Sequence, residues 1–359
     1  MSFTCGLVGL PNAGKSTIFN ALTGAGAAVA PFPFSTLAPQ RGRAAVPDPR
    51  LERLAELLRP AKVTPATLEV LDLAGLVEGA HRGEGLGNQF LAAIREADAL
   101  LHVVRCFPEA GQASLDPVQD AAVVATELLL ADLELVERRL ERLARQARID
   151  PQAPARELAL ARELKEALER GQALRRLDLR GEAQTLVRGW GYLTAKPFLY
   201  IANVRREDPD TPAVLARLEA VARADGAPVI GIDGKLEGEL LELPPSEQAE
   251  FRRALGLEES ALARLERAGY ELLGLLTFYT VVGPELRAWS LPRGATALEA
   301  AAKIHSDMAR GFIRAEVVPF EAFAATPSWA TLRERGLLRL EGRDYPVRDG
   351  DILTVRFAA

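Results

Sequence analysis

The chain has 359 residues, which is long for a single hydrophobic core and predicts two or three domains. Its net charge of −5 offers no overall basic footprint for nucleic acid, so any such binding must come from a local patch. Hydrophobic residues make up 48% of the chain, yet no apolar run reaches the roughly 18 residues that a membrane span needs, and we expect no membrane partner.

The first residues lack a basic stretch followed by a long apolar one, so we expect no signal peptide and a cytoplasmic location. The two cysteines, Cys5 and Cys106, both fall in apolar runs that are typical of strands. Their spacing fits neither a disulfide framework nor a zinc site, and we interpret them as core thiols.

A phosphate-binding turn is predicted close to the start of the chain. Residues 9–16 read GLPNAGKS, which fits the P-loop pattern G-x-x-x-x-G-K-[ST]. An apolar run at residues 4–10 predicts a buried strand before the turn, and residues 16–22 predict a helix after it. In that context the glycines let the backbone N–H groups point inward, and the helix N-terminus adds positive charge.

Side chains for a metal-bound triphosphate follow from the same pattern. Lys15 can reach the β- and γ-phosphates, and the Ser16 hydroxyl can ligate Mg²⁺. Residues 30–40 contain three prolines and predict an extended loop, in which Thr36 is the candidate for a second Mg²⁺ ligand. The strand at residues 67–71 delivers Asp72, which we expect to hold the metal through water.

The segment after Asp72 is predicted to respond to the nucleotide. Gly75 stands three residues after Asp72, where its N–H would meet the γ-phosphate. Further glycines follow up to residue 87, so the segment is poor at holding one shape alone and suited to ordering on a γ-phosphate. The next apolar strand, at residues 99–107, contains His102, which we interpret as a packed core histidine.

A helical hairpin is predicted in the middle of the chain. Apolar residues recur at spacings of four and three between residues 118 and 148, with charged residues such as Glu127 between them. The apolar series is Leu129, Leu133, Val136, Leu140 and Leu143. A break at residues 150–154 and a second helix at residues 155–177 complete an antiparallel pair, whose charges we expect to face solvent.

The α/β pattern then resumes and gives way to a smaller module. A strand at residues 196–204 carries Asn203 near its end, and a further strand covers residues 227–232. From residue 277 onward, short strands surround one helix at residues 297–308. We therefore predict an α/β fold in which a P-loop NTPase domain (1–117 and 191–276) holds an inserted helical hairpin (118–190), followed by an α+β domain (277–359).

Together these motifs resemble the YchF/Obg-like ATPase family of translation-factor-class P-loop NTPases. The resemblance is carried by residues 9–16, by the proline loop, by the string DLAGLVEGAHRGEGLGNQFL at residues 72–91, and by residues 287–289 and 311–317. It implies that the hairpin is the family's coiled coil and the last domain its TGS domain, a ubiquitin-like β-grasp. It also implies association with the ribosome, with RNA contact through the hairpin and the TGS-like domain as a further hypothesis.

The preferred base is predicted from the residues around Asn203. Standard GTPases read guanine with the Asp of N-K-x-D, whereas the resembled family usually shows N-x-x-E and prefers ATP. Here Arg206 takes the fourth place after Asn203, and Glu207 lies one residue further on. A missing carboxylate argues against strict guanine selection. The sequence therefore favours ATP, with GTP or dual use as the alternative.

The sequence lacks the usual group that orients the attacking water. Leu76 stands where Ras-like enzymes have a glutamine, and its side chain can form no hydrogen bond. Asn12 lies where related switch NTPases bind an activating K⁺, so our hypothesis is that K⁺ takes the place of an arginine finger. Residues 108–117 contain no histidine, so a catalytic role for the histidine that family members often carry there cannot be transferred.

The motifs and the family resemblance together predict a Mg²⁺-dependent hydrolase of ATP or GTP that acts as a ribosome-associated molecular switch, with ATP favoured over GTP. The predicted catalytic residues are Lys15, Asn12, Thr36 and Gly75; the nucleotide-binding residues are Asn12, Ala13, Gly14, Lys15, Ser16, Thr17, Asn203, Val204, Glu207, Gly231 and Ile232; the metal ligands are Ser16, Thr36 and Asp72. The alternative from another class is a binding module that uses nucleotide only as a structural ligand. A small-molecule kinase is a third and poorer interpretation.

Overall fold

A computed structural model describes residues 3–24, 40–73, 79, 86–108, 115–149 and 155–358. The strands, numbered in chain order, are β1 (Thr4–Val8), β2 (Gln40–Ala45), β3 (Lys62–Thr64), β4 (Thr67–Asp72), β5 (Ala99–Cys106), β6 (Phe198–Val204), β7 (Val229–Ile232), β8 (Leu275–Val282), β9 (Glu285–Pro292), β10 (Phe312–Pro319), β11 (Arg339–Glu341) and β12 (Asp351–Phe357).

The helices are α1 (Lys15–Thr23), α2 (Pro49–Leu58), α3 (Leu86–Glu96), α4 (Pro117–Ala147), α5 (Ala155–Glu169), α6 (Gly181–Trp190), α7 (Thr211–Asp225), α8 (Gly234–Leu241), α9 (Pro245–Ala254), α10 (Ala261–Leu272), α11 (Ala297–Ile304), α12 (Ser306–Arg310), α13 (Phe320–Ala325) and α14 (Trp329–Glu334). Of the helices described, none combines the length and the apolar character that crossing a bilayer requires.

The chain divides into two compact units. The P-loop unit comprises Thr4–Gly42 and Glu69–Arg264, and the C-terminal unit comprises Met1–Phe3, Arg43–Leu68 and Leu265–Ala359. The sequence predicts that residues 43–68 belong to the P-loop NTPase domain. In the structure their buried side chains Leu51 and Leu54 join the same core cluster as Tyr279 and Leu286.

A six-stranded sheet in the order β2-β4-β1-β5-β6-β7 positions the P-loop. Strand β1 pairs in parallel with β4 and with β5, and β6 pairs in parallel with β5 and with β7. The carboxyl ends of these strands therefore meet at one edge, where ligands bind in open α/β sheets. Strand β5 is buried almost throughout, as its continuous apolar run predicts. The predicted α/β fold is confirmed.

Helix α4 contributes side chains to two hydrophobic cores along its 31 residues. Its first half packs on the sheet through side chains such as Val124 and Leu128. Its second half forms the hairpin with α5: Val136 and Leu143 are fully buried, and the other apolar residues of the predicted series pack against them. Where the sequence predicted helix to residue 177, α5 ends at Glu169 and a short 3₁₀ turn at Leu174–Arg176 follows.

The C-terminal sheet has the order β11-β10-β12-β8-β9-β3. Strands β8 and β9 form an antiparallel hairpin, and β12 lies parallel to β8, which is the strand arrangement of a β-grasp domain. The predicted single helix at 297–308 is wrong. The backbone is extended at His305 (φ −161°, ψ 141°), where the His305 imidazole Nδ1 accepts the Asp307 N–H at 3.2 Å, so α11 ends and α12 begins.

Candidate nucleotide site

The turn between β1 and α1 depends on two glycines. Gly9 has φ +152° and Gly14 has φ +94°, a region that side-chain-bearing residues rarely adopt. A Cβ atom would lie 2.4 Å from the Val103 carbonyl oxygen at Gly9, and 2.0 Å from the Asn203 Nδ2 atom at Gly14. Both distances are far below van der Waals contact. The glycines of the motif are therefore required by the packing of the turn.

Lys15 begins α1 and extends back over the turn. Its ammonium group donates to the carbonyl oxygens of Gly9 at 3.1 Å and Leu10 at 2.9 Å, and the residue is 7% exposed. Burial lowers the pKa of Lys15 to about 8, and the Asp72 charge opposes this shift. Because an ammonium group has three protons, two hold it to the turn and the third remains for a ligand oxygen.

Ser16 and Asp72 meet at the end of β4. The Ser16 hydroxyl donates to Asp72 Oδ2 at 2.6 Å. Burial raises the pKa of Asp72, while the Ser16 hydrogen bond and the charge of Lys15 act in the opposite direction. The other oxygen, Asp72 Oδ1, is buried and has no hydrogen-bond partner among the described residues. Burying such an atom is unfavourable unless something satisfies it.

The Ser16 hydroxyl and the Asp72 carboxylate together fit Mg²⁺. This hard cation takes one or two protein oxygens together with phosphate oxygens and water. Within the described ranges, no group of three or more His, Cys, Asp or Glu side chains could hold a metal alone. The donor set therefore suits a metal that arrives with a polyphosphate. Thr36 and Gly75, as well as Leu76, lie outside the described residues.

The Asn203 side chain forms hydrogen bonds both to the P-loop turn and to the start of α8. It ends the buried part of β6, and its Nδ2 donates to the Ala13 carbonyl at 2.9 Å. Its Oδ1 accepts the Gly234 N–H at 3.3 Å, at the start of α8. Gly231 and Ile232 end β7 just before this helix. The structure thus brings these predicted residues to one place, with Val204 half-buried beside Asn203.

The remaining predicted residues lie on the turn and on α1. Asn12 has a left-handed backbone (φ 60°) and is exposed, so its amide is accessible from solvent. Ala13 is buried, and Thr17 is partly buried in the first turn of α1.

Arg206 occupies the fourth place of the motif that begins at Asn203, where the resembled family usually carries the carboxylate that reads the base, and its own bonds are to the protein. Its backbone N–H donates to Asp233 Oδ2 at 3.0 Å, and its guanidinium donates to the Leu255 carbonyl. The other Asp233 oxygen accepts the Leu236 N–H at 3.0 Å and caps α8. Glu207 is exposed and makes no hydrogen bond or ion pair with the described part of the chain. Sequence reasoning missed Asp233, although an Asp directly before a helix is a common N-cap.

Three buried titratable side chains, His102, Cys5 and Cys106, lie in strands β1 and β5 of the sheet. His102 is 1% exposed and packs against the rings of Phe198 and Tyr200, which confirms the core interpretation. Burial, followed by the charge of Arg175, lowers the pKa of His102 to about 3. Cys5 and Cys106 are free and buried, as expected.

Two family models match the chain. One is described as a 50S ribosome-binding GTPase and matches residues 4–137. The other is named YchF-GTPase_C, is described as a protein of unknown function, and matches residues 275–358.

The chain is similar to curated relatives along its whole length. Proteins named Ribosome-binding ATPase YchF share 46% identity over 363 residues in Pasteurella multocida and 45% over 361 residues in Escherichia coli O157:H7, with 99% of each chain covered in both cases. The Bacillus subtilis protein of the same name is 43% identical and is covered completely. The solved structure of the Schizosaccharomyces pombe YchF GTPase matches with a TM-score of 0.87 at 30% identity, over 99% of this chain and 98% of that one.

Proposed function

The chain belongs to the YchF family, and from that premise we propose that it is a Mg²⁺-dependent nucleoside-triphosphate hydrolase that acts as a switch on the ribosome, with ATP favoured over GTP. The observation that carries this proposal is the meeting of Lys15, Ser16 and Asp72 at one edge of the sheet. The names of the relatives, ribosome-binding ATPases at 43 to 46% identity, supply the nucleotide and the partner. A ribosomal partner supports the expected cytoplasmic location.

Each residue has a defined role in this proposal. Lys15 holds the β- and γ-phosphates with its remaining proton, while the turn's N–H groups surround the phosphates. Ser16 and Thr36 would ligate Mg²⁺ and Asp72 would hold it through water; the metal would supply positive charge next to the phosphate oxygens. The Gly75 N–H senses the γ-phosphate. In this proposal, cleavage of the γ-phosphate alters the loops at residues 30–40 and 72–87 and so controls docking on the ribosome.

The preference for ATP is supported by the loops around Asn203. A guanine-reading carboxylate must accept two hydrogen bonds from the base. Asp233 already accepts two N–H groups of the protein, and Arg206 is held by Leu255. Glu207, exposed near Asn203 in sequence, is the candidate carboxylate for that task, and the alternative of GTP or dual use rests on it. Competition between ATP and GTP for a labelled nucleotide separates these outcomes, and equal displacement would contradict the preference.

K⁺ is the proposed activating ion, with Asn12 as its ligand. The Asn12 amide is accessible on the turn beside the phosphate position. A monovalent cation there would stabilise charge that an arginine finger stabilises in other switch NTPases. Turnover in KCl should exceed turnover in NaCl at equal ionic strength, and Asn12→Ala should remove the difference. Equal turnover in the two salts would reject this role.

The hairpin (residues 118–190) and the domain at 277–359 are proposed as the partner-binding parts, and the NTPase domain is proposed within residues 1–117 and 191–276 without residues 43–68, which join the C-terminal unit. The last turns of α4 support RNA contact by the hairpin. Arg142, Arg145 and Arg148 are exposed there, and residues 142–149 include no acidic residue. Replacing these three with Ala should weaken ribosome binding and reduce its salt dependence, because phosphate contacts release counterions.

A single variant separates the switch from the binding-module alternative. Lys15→Ala should abolish hydrolysis and nucleotide-driven release from the ribosome. If the chain is only a binding module, ribosome binding by wild type and variant will be the same with and without ATP. An acceptor-substrate screen tests the kinase alternative, and phosphate transfer to any acceptor other than water would support it.

A further inference from the structure

A buried carboxylate on α8 holds the start of α10. Glu237 is 3% exposed, and both of its oxygens accept hydrogen bonds from the chain that begins α10. Its Oε2 accepts the Ser260 hydroxyl at 2.8 Å, and its Oε1 accepts the Ala261 N–H at 2.6 Å. An ionised carboxylate is costly to bury and is retained where hydrogen bonds satisfy it. These two bonds therefore fix α8 to the N-terminus of α10.

The stretch of chain around the start of α10 also bonds to the segments that follow β6 and β7. Arg264, in the first turn of α10, donates to the Gly231 carbonyl at 3.0 Å, near the end of β7. The Leu255 carbonyl, before α10, accepts the guanidinium of Arg206, which follows β6. Residues 255–264, which we call the connector, are thus joined to both segments that carry predicted nucleotide-binding residues.

Helix α8 relates Glu237 to the P-loop turn through direct contacts. Gly234 begins this helix, and its N–H donates to Asn203 Oδ1 at 3.3 Å. Asn203 Nδ2 in turn donates to the Ala13 carbonyl at 2.9 Å. A Cβ atom at Gly234 would lie 3.2 Å from Ile18 Cγ1, so the start of α8 also packs closely on α1. A shift of α8 would therefore disturb the contacts of Gly234 with Asn203 and with α1 together.

We propose that Glu237 is a positioning residue for nucleotide binding. By holding α8 to the connector, its carboxylate keeps the Gly234 N–H within reach of Asn203 and the segment after β7 in place. The contacts that carry this effect involve neither Ser16 nor Asp72. We therefore expect nucleotide affinity to depend on Glu237 more than the rate of γ-phosphate cleavage does. This inference rests on the proposed function, because it assigns Glu237 a role in binding the nucleotide of that site.

The test measures the affinities for ATP and ADP by calorimetry, and the single-turnover rate at saturating ATP, in wild type, Glu237→Ala, Glu237→Gln and Glu239→Ala. Glu237→Ala removes both acceptors, so both affinities should fall about tenfold while the rate changes less than about threefold. Glu237→Gln keeps an oxygen for the Ala261 N–H and an amide that can donate to the Ser260 hydroxyl, so both affinities should stay within about threefold of wild type. Glu239 is exposed on the same helix beside Lys235, and its replacement should change neither quantity.

Unchanged nucleotide affinity in Glu237→Ala would overturn the inference. So would equal losses of affinity, hydrolysis rate and melting temperature in Glu237→Ala and Glu237→Gln, since these indicate a purely structural role. Where Glu237→Ala does not fold, Ser260→Ala removes one of the two bonds and should lower both affinities about threefold, and unchanged affinity there counts equally against the inference. Absence of nucleotide affinity in wild type would instead refute the proposed function.

Discussion

Replacing Gly14 by Ala should disrupt the candidate site through one specific clash. The new Cβ atom would stand 2.0 Å from Asn203 Nδ2, so the Asn203 side chain must move. It would then lose its hydrogen bonds to Ala13 and Gly234, at 2.9 and 3.3 Å. Each buried hydrogen bond left unsatisfied costs about 1–3 kcal/mol. A left-handed alanine adds about 1–2 kcal/mol.

Gly24→Ala is the matched control. Gly24 ends α1, also in the left-handed region (φ +63°), but a Cβ atom there meets nothing within 4 Å. It should therefore show only the backbone cost of about 1–2 kcal/mol. Gly14→Ala should lose roughly 2–6 kcal/mol more free energy of unfolding than Gly24→Ala, from the two lost hydrogen bonds, and nucleotide affinity should fall with it.

The assay is urea unfolding of both variants, followed by nucleotide titration. In an Asn203→Ala background the clash is absent, so the extra loss at Gly14 should vanish in a double-mutant cycle. Equal destabilisation by Gly14→Ala and Gly24→Ala would refute the reasoning, and so would an unchanged Gly14 penalty in the Asn203→Ala background.

Three further predictions concern charge and metal. Burial lowers the pKa of Lys15 to about 8 while a triphosphate favours its protonated form, so ATP affinity, followed by calorimetry, should fall about tenfold per pH unit above pH 8. His102 has a pKa of about 3, below its ordinary 6.5, so the unfolded chain binds the proton more readily. Stability is then lost as pH falls from 6.5 toward 3, by about 1.4 kcal/mol per unit, and His102→Phe should flatten that slope in acid unfolding curves. Asp72→Asn should remove most of the gain in ATP affinity that Mg²⁺ gives, about tenfold, while metal-free affinity stays within about twofold.

Each of these has a result that contradicts it. Constant ATP affinity from pH 7 to 10 would refute the role of Lys15 as a titrating phosphate ligand. Identical acid unfolding curves for wild type and His102→Phe would show that this histidine is not the source of acid sensitivity. Equal Mg²⁺ enhancement in wild type and Asp72→Asn would remove Asp72 from the metal site.

The parts predictable from sequence were those set by local pattern. The P-loop turn, the apolar strand at Ala99–Cys106 and the series around Val136 and Leu143 follow rules that act within a few residues. A glycine–lysine turn between strand and helix leaves few arrangements open to Lys15 and Ser16. For this reason the residues of the candidate phosphate site could be named from the sequence alone.

The parts that were not predictable depend on contacts between distant segments. Glu127 belongs to a charged series, and only the packing of α4 on the sheet and the approach of Gly79 reveal it as buried. Residues 43–68 carry no signal for the partners that Leu51 and Leu54 find near Tyr279. At His305, a local hydrogen bond from the Asp307 N–H to the imidazole competes with continuing the helix.

The proposed function requires that the turn at Lys15 bind a magnesium triphosphate and that the protein hydrolyse it. The most direct measurement is titration of purified protein with ATP and GTP in Mg²⁺, with phosphate release measured on the same samples and on Lys15→Ala. We expect saturable binding with a higher affinity for ATP than for GTP, slow phosphate release that K⁺ accelerates, and loss of release in the variant. No affinity for either nucleotide, or equal release by wild type and variant, would contradict it.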